Sequence, residues 1–191
     1  LFGATGNIGK AIAMEAKKEY DLTMVVRNQQ KGNALRNITS NYLIADVTNT
    51  DSLKGICNGF DIVISSLGKS VSPNEKSKPS FYDIDFMANS NILKEAVRSG
   101  VKKFVYVSVF HAERYPHLRY FKSHFDFEQK LKASGIDYTI ARPPAVFSSF
   151  IDLVHMAKKG KLMTLGQGDK KTNPILEGDL AKIIVERIDQ T

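Results

Sequence analysis

The chain lacks the features that several function classes require. Among its 191 residues there is one cysteine, Cys57, so no disulfide can form within it. A reducing compartment, the cytoplasm, is the expected home. Long hydrophobic runs are missing too. The least interrupted apolar stretch, Phe104–Phe110, is too short to cross a bilayer, and no membrane is expected as a partner. No secretory leader is visible. The chain opens on Leu1, and Leu1-Phe2 reads as the tail of a strand whose start precedes the numbering. There is no internal repeat, no low-complexity tract and no interdomain linker. A single domain over 1–191 is expected, with a small substrate-side segment at 143–176.

The chain carries a net charge of +7, which favours contact with anions. The lysines are scattered in pairs, such as Lys17-Lys18 and Lys102-Lys103. They form no basic stripe with interleaved aromatics, and no nucleic-acid partner is expected. His111, His117 and His124 show no tight His-x-x-x-His spacing, so no metal is expected. The oligomeric state is left open.

What is present is an alternation of strand and helix patterns. Leu1-Phe2 runs into a glycine turn and a helix from Ile8 to Tyr20. Strands follow at Leu22–Val26 and Tyr42–Ala45, and a helix starts near Thr50 as its N-cap. Asp61–Ser65 is a buried-type strand. Phe81, Ile84, Ala88, Ile92 and Ala96 mark a long amphipathic helix closed by Gly100. Lys103–Ser108 is a strand, Leu118–Ser134 a helix and Asp137–Ala141 a strand. The last third reads as a helix over Ser149–Lys159, a strand over Lys161–Leu165 and a helix from Glu177. Such β-α-β alternation predicts an α/β fold: a Rossmann-type, doubly wound parallel sheet with helices on both faces. The loops Lys69–Pro79 and Gly166–Pro174 follow carboxyl ends of predicted strands, where ligands bind in such sheets.

The first strand–helix junction reads Gly3-Ala4-Thr5-Gly6-Asn7-Ile8-Gly9. Gly3 allows the tight turn. Gly6 removes a side chain where a pyrophosphate must approach the backbone, and Gly9 lets the helix pack on the strand. The helix N-terminus offers free N–H groups and a positive dipole end. Thr5, Asn7 and Ile8 fall within this dinucleotide-binding turn. At the end of the second strand stand Arg27 and Asn28, with no Asp or Glu beside them. A guanidinium there can pair with an adenosine 2′-phosphate, so NADP(H) is expected over NAD(H).

The chain resembles the atypical short-chain dehydrogenase/reductases. It is similar in particular to NAD(P)-binding proteins of the nitrogen-metabolite-repression-regulator-like (NmrA-like) type. Divinyl chlorophyllide reductases resemble it in the last third. The glycine turn carries the resemblance together with Ala45-Asp46-Val47-Thr48, Asp61-Ile62-Val63-Ile64-Ser65-Ser66-Leu67-Gly68 and Phe104-Val105-Tyr106-Val107-Ser108. Ser134-Gly135-Ile136-Asp137-Tyr138-Thr139-Ile140-Ala141-Arg142-Pro143 is its most specific piece, followed by Asn173-Pro174-Ile175 and Asp179-Leu180-Ala181. The resemblance implies that Asp46 and Val47 lie beside the adenine. It implies Ser65, Ser66, Leu67 and Gly68 along the ribose and pyrophosphate, and Pro143 and Pro144 against the nicotinamide. Each has a plainer alternative: Asp46 as a turn cap, the prolines as strand terminators.

Catalytic members of the wider family use a serine at a strand end and a Tyr-x-x-x-Lys pair on the next helix. Ser108 and Tyr120 match the first two, but His124 stands where the lysine belongs. Four helical residues turn about 400°, so Tyr120 and His124 share a face, while Lys122 points about 200° away. A histidine is only partly charged at neutral pH. It can hold a ribose hydroxyl, but lowers the tyrosine pKa far less than a lysine. Phe110, His111, Phe147, Phe150 and Met156 are read either as core or as an apolar substrate pocket.

Three functions stay open. One is an oxidoreductase passing hydride from NADPH to a small carbonyl, enone or quinone, with Tyr120 donating a proton. The second is a redox sensor that binds NADP(H) without turnover. The third, a nucleotide-sugar epimerase or dehydratase, requires the intact Tyr-x-x-x-Lys pair and a larger substrate domain than the chain's end leaves room for.

Overall fold

The computed structural model describes residues 1–72, 75–160 and 171–190. Every strand pairing in it is parallel. β1 (Met24–Val26) pairs with β2 (Tyr42–Ile44), and β3 (Ile62–Ser65) with β4 (Lys103–Val107), which pairs in turn with β5 (Asp137–Ala141). Phe2 joins the two groups through bridges to Val25 and Ser65. The order across the sheet is therefore β2-β1-Phe2-β3-β4-β5. The reversal of direction falls at Phe2, just before the glycine turn. That is the switch point where doubly wound sheets bind ligands.

Helices cover both faces. They are α1 (Asn7–Ala16), α2 (Gln29–Asn33), α3 (Asn89–Arg98), α4 (Arg119–Lys132), α5 (Ile151–Lys158) and α6 (Glu177–Glu186). The alternation of β4 shows how the sequence builds two cores. Phe104 and Tyr106 pack with Ile92, Ala96, Phe127 and Leu131 of α3 and α4. Val105 and Val107 point the other way, against Ile12, Leu180 and Ile184 of α1 and α6. All five residues of β4 are buried, as a central strand covered on both sides requires.

Three expectations are modified. The helix expected from Thr50 is a single 3₁₀ turn over Asp51–Leu53, and Thr50 makes no cap bond. Asn49 instead accepts the Asp51 N–H at 2.9 Å, and Gly55 and Gly59, both with φ of 78°, prevent an α-helix from propagating. The long helix after the polar loop is present, but its first part, Tyr82–Ala88, is π-helical before α3 begins. The opening strand is reduced to the Phe2 bridges. The strand expected at Lys161–Leu165 lies outside the described residues. No helix among the described residues is long and apolar enough to cross a membrane.

Candidate functional site

The glycine turn is built by three different constraints. Gly3 has φ of 79°, and a Cβ there would sit 2.7 Å from the Ser66 carbonyl. A Cβ on Gly9 would sit 2.1 Å from the Gly3 oxygen. Both positions must be glycine for the turn to close on β3 and for α1 to reach it. Gly6 differs. A Cβ there would meet nothing nearer than the Gly3 oxygen at 3.5 Å, an ordinary contact, and its φ of −76° suits any residue. Packing gives no reason for glycine at 6; the missing side chain opens space in front of α1. No side chain caps α1, and its first turn holds no carboxylate. Its leading N–H groups and positive dipole end thus meet no negative charge from the helix itself.

That space is a cleft of about 570 Å³. Gly6, Asn7, Ile8 and Gly9 form one wall, and Ser66, Leu67 and Gly68 after β3 form the next. Ser108, Tyr120, His124, Pro143 and Pro144 close the far end. The backbone explains this convergence. Ser66 N–H donates to the Phe2 carbonyl at 3.1 Å, tying the end of β3 to the turn. Ser108 N–H donates to Ala141 at 2.7 Å and Phe110 N–H to Pro143 at 3.1 Å. These bonds continue the β4–β5 register past the strands and hold Pro143 beside Ser108. Behind them, Arg142 forms a two-pronged ion pair with Glu128, whose side chain is fully buried.

Ser65 is turned inward. It is completely buried and donates to Asn89 Oδ1 at 2.6 Å. Asn89 in turn donates to the carbonyls of Leu67, Ile84 and Asp85, which ties the wall of the cleft to the π-helical segment. Ser108 Oγ is buried without a hydrogen-bond partner among the described residues. It lines the cleft, and a polar atom left unpaired there is available to a ligand.

Tyr120 and His124 share a helix face, with ring centroids 4.8 Å apart in an edge-to-face contact. His124 is 4% exposed, and its Nδ1 lies 2.6 Å from the Tyr106 hydroxyl. Burial lowers its pKa to about 4, so the ring is neutral at pH 7. With the Tyr106 hydroxyl as donor, the ring proton resides on Nε2. Burial, aided by the charge of Asp85, raises Tyr120 to about 12. Tyr120 therefore keeps its proton throughout the physiological range. Lys122 is engaged elsewhere, with its ammonium 2.5 Å from Asp126.

Thr5 is exposed in the glycine turn and does not line this cleft; Arg27, Asn28, Asp46 and Val47 also lie outside it, at the ends of β1 and β2. Arg27 is exposed, and its charge is felt by Asp46. Asn28 caps α2, accepting from Lys31 N–H at 3.0 Å. Asp46 Oδ1 accepts from the N–H and hydroxyl of Thr48, bonds that lower its pKa. Val47 is buried, and its carbonyl accepts from Asn91. Phe110, His111, Phe147, Phe150 and Met156 line neither this cleft nor the larger one beside Tyr120.

Sequence reasoning missed Asp85. It is completely buried and accepts the Lys69 N–H at 2.8 Å through Oδ1, while Oδ2 has no partner among the described residues. Burial raises its pKa to about 7. Its signal was a carboxylate on the core-facing stripe that also carries Asn89, Ile92 and Ala96. Glu128, one turn after His124, gave the same signal.

Comparison with known proteins gives the family and the fold. The chain is 31% identical over 208 aligned positions to the chloroplast divinyl chlorophyllide a 8-vinyl-reductase of Arabidopsis thaliana, covering 97% of this chain and 48% of that protein. It is 26% identical to the photosystem II assembly factor Ycf39 of Cyanophora paradoxa, over 79% of this chain and 46% of that one. It thus spans about half the length of these relatives. The fold is shared with an NADPH-dependent quinone oxidoreductase of Escherichia coli solved with NADPH. The TM-score is 0.78 at 24% identity, over 100% of this chain and 64% of that one. A family described as NAD(P)H-binding matches residues 3–191, and the chain belongs to that family.

Proposed function

We propose that the protein is an NADPH-dependent reductase, of the atypical short-chain dehydrogenase/reductase class and the NmrA-like type, acting on a carbonyl, enone or quinone. One observation carries the reading: Gly6 is a glycine that packing does not require, in front of an uncapped helix that begins a cleft ending at Ser108 and Tyr120. Backbone N–H groups at Asn7 and Ile8 would hold the pyrophosphate. Ser66, Leu67 and Gly68 would follow the ribose, and Pro143 and Pro144 would flank the nicotinamide. Arg27, with Asn28, Asp46 and Val47 beside it, would receive the adenosine end and its 2′-phosphate. When bound, the cofactor supplies the hydride.

Everything else falls to the chain's own side chains. Ser108 Oγ, unpaired in its buried position, would donate to the substrate oxygen. Tyr120 would supply the proton that the reduced oxygen needs. Neutral His124 would hold Tyr120 through the edge-to-face contact rather than acidify it. Cys57, buried and with its pKa pushed up to about 11 by burial, fits a reducing compartment. The test is purified protein with NADPH and a panel of carbonyls, enones and quinones. Turnover that Gly6→Val abolishes supports the reading. Tight NADPH binding with no turnover on any member removes it.

The neutral His124 favours one second reading, a redox sensor that binds NADP(H) without chemistry. It predicts unequal affinities for NADP and NADPH, and no oxidation of NADPH by any acceptor.

A further inference from the structure

We propose that the cleft beside Tyr120 is the substrate site and that its substrate is a planar aromatic carboxylate. This assignment rests on the reductase reading for the word substrate, but the binding site stands on separate observations.

The cleft has a volume of about 830 Å³, and Lys69, Val71, Tyr120 and Phe121 line both it and the cofactor cleft. A molecule in one therefore meets a molecule in the other at Tyr120. The walls are aromatic. Phe81 and Phe121 each make edge-to-face contacts with Tyr120, at ring centroid distances of 5.3 Å. Tyr82 and Leu118 complete the apolar surface and are left 50% and 44% exposed. Rings arranged this way offer faces and edges to a flat π-system. The volume lies well within the range of small-molecule sites and admits several fused rings.

The charged side chains that line the cleft have one sign. Lys69, Lys78, Arg119 and Lys122 line the cleft, and no carboxylate is among its described lining residues, the Glu75 carboxylate lying behind Lys69 at 3.7 Å. Two of the four cations are already engaged. Lys69 Nζ donates to the carbonyl and hydroxyl of Ser77 at 3.0 and 2.6 Å, and Lys122 is paired with Asp126. The side chains of Lys78 and Arg119 have no hydrogen bond or ion pair among the described residues. Two uncompensated cations over an exposed aromatic floor fit a ligand that is flat, apolar and acid-bearing. A neutral apolar substrate would leave both charges idle. Arg119 can take a carboxylate bidentately, and Lys78 adds a point charge.

The test uses anthraquinone-2-carboxylate and its neutral carboxamide, titrated calorimetrically into the full chain with NADPH present and absent. The acid should bind at least about tenfold tighter than the amide, with an advantage that shrinks as salt rises. The Lys78→Ala/Arg119→Ala double variant should bring the acid down to the affinity of the amide. Phe121→Ala should weaken both ligands, and thermal melting confirms that each variant is folded. Equal affinities of acid and amide for the wild type would overturn the proposal. So would an acid preference that survives in the double variant. If the acid preference stands while NADPH fails to bind, the reductase reading falls alone and the anion site remains.

Discussion

The carboxylate of Glu128 and the guanidinium of Arg142 meet behind the cleft that runs from Gly6 to Tyr120, although one lies in α4 and the other just past β5. Arg142 Nε donates to Oε1 at 2.8 Å, and a second contact joins Nη2 to Oε2. Glu128 is fully buried, whereas the Arg142 side chain is 35% exposed. Removing Arg142 leaves a buried charge unpaired. Arg142→Met should cost about 3 kcal/mol, the low end for a broken buried pair because solvent reaches the arginine. Pairing it with Glu128→Gln should recover most of that loss. Urea unfolding of the three variants checks this, and an additive double variant would contradict it.

The glycines of the turn should separate stability from binding. Gly9→Ala drives a methyl into a backbone oxygen and should destabilise by about 3 kcal/mol. Gly6→Ala has room and a compatible φ, so its cost should stay near 1 kcal/mol or below. Its NADPH affinity should nonetheless fall at least about tenfold, because the methyl occupies the approach of the pyrophosphate. Thermal melting and fluorescence titration of both variants decide the matter.

Arg27→Ala should raise the Kd for NADPH by about tenfold or more while leaving that for NADH nearly unchanged, as expected for a lost charge-assisted contact to phosphate. An unchanged preference between the two coenzymes would remove Arg27 from the 2′-phosphate site.

Two buried groups should pull stability in opposite directions below neutrality. Asp85 titrates at about 7 when folded against 3.8 when unfolded. The stability tied to its proton is present at low pH and is lost as pH rises through 7. His124 titrates at about 4 when folded against 6.5. Its neutral form stabilises above 6.5, and that contribution disappears as pH falls through 4. The limits are roughly 4 kcal/mol for Asp85 and 3 kcal/mol for His124. Relative to the wild type, Asp85→Asn should therefore gain stability between pH 4.5 and pH 8, and His124→Gln should lose it. Denaturant midpoints at the two pH values test both signs.

Tyr120→Phe should lower kcat by about 10²–10⁴-fold if the phenol donates the proton. With Tyr120 raised to about 12, the wild-type rate should show no alkaline fall from this group between pH 7 and pH 10. A limb near pH 9 would mean that Tyr120 is acidified after all.

The sheet was legible because its strands are short apolar runs between helices of a different period, and β4 announces burial on both faces. The glycine turn was legible because each glycine answers a distinct demand. The other side of the cleft was harder to read. Asp85, Asn89 and Glu128 act from within the core, and a polar residue on an apolar stripe is ambiguous until its partners are known. The partners of Glu128 and Asp85 are 14 and 16 residues away. Neutral His124 was unpredictable for the same reason: the burial that neutralises it comes from distant elements packed around it, Tyr106 of β4 among them. The π-helical segment left no trace in the hydrophobic spacing, which reads as an ordinary helix from Phe81 onward.

That widened coil has an evolutionary corollary. Tyr82–Ala88 carries seven residues in π geometry, with Asp85 holding the Lys69 N–H and Tyr82 lining the aromatic cleft. Deleting one residue would let the stretch relax to ordinary α winding, and everything upstream of Asn89 would swing by about 100°. Both liganding surfaces would be scrambled at once while the helix itself survived. A gap here would therefore disturb both clefts together, whereas an exposed point change in the same stretch, away from Tyr82, would disturb neither.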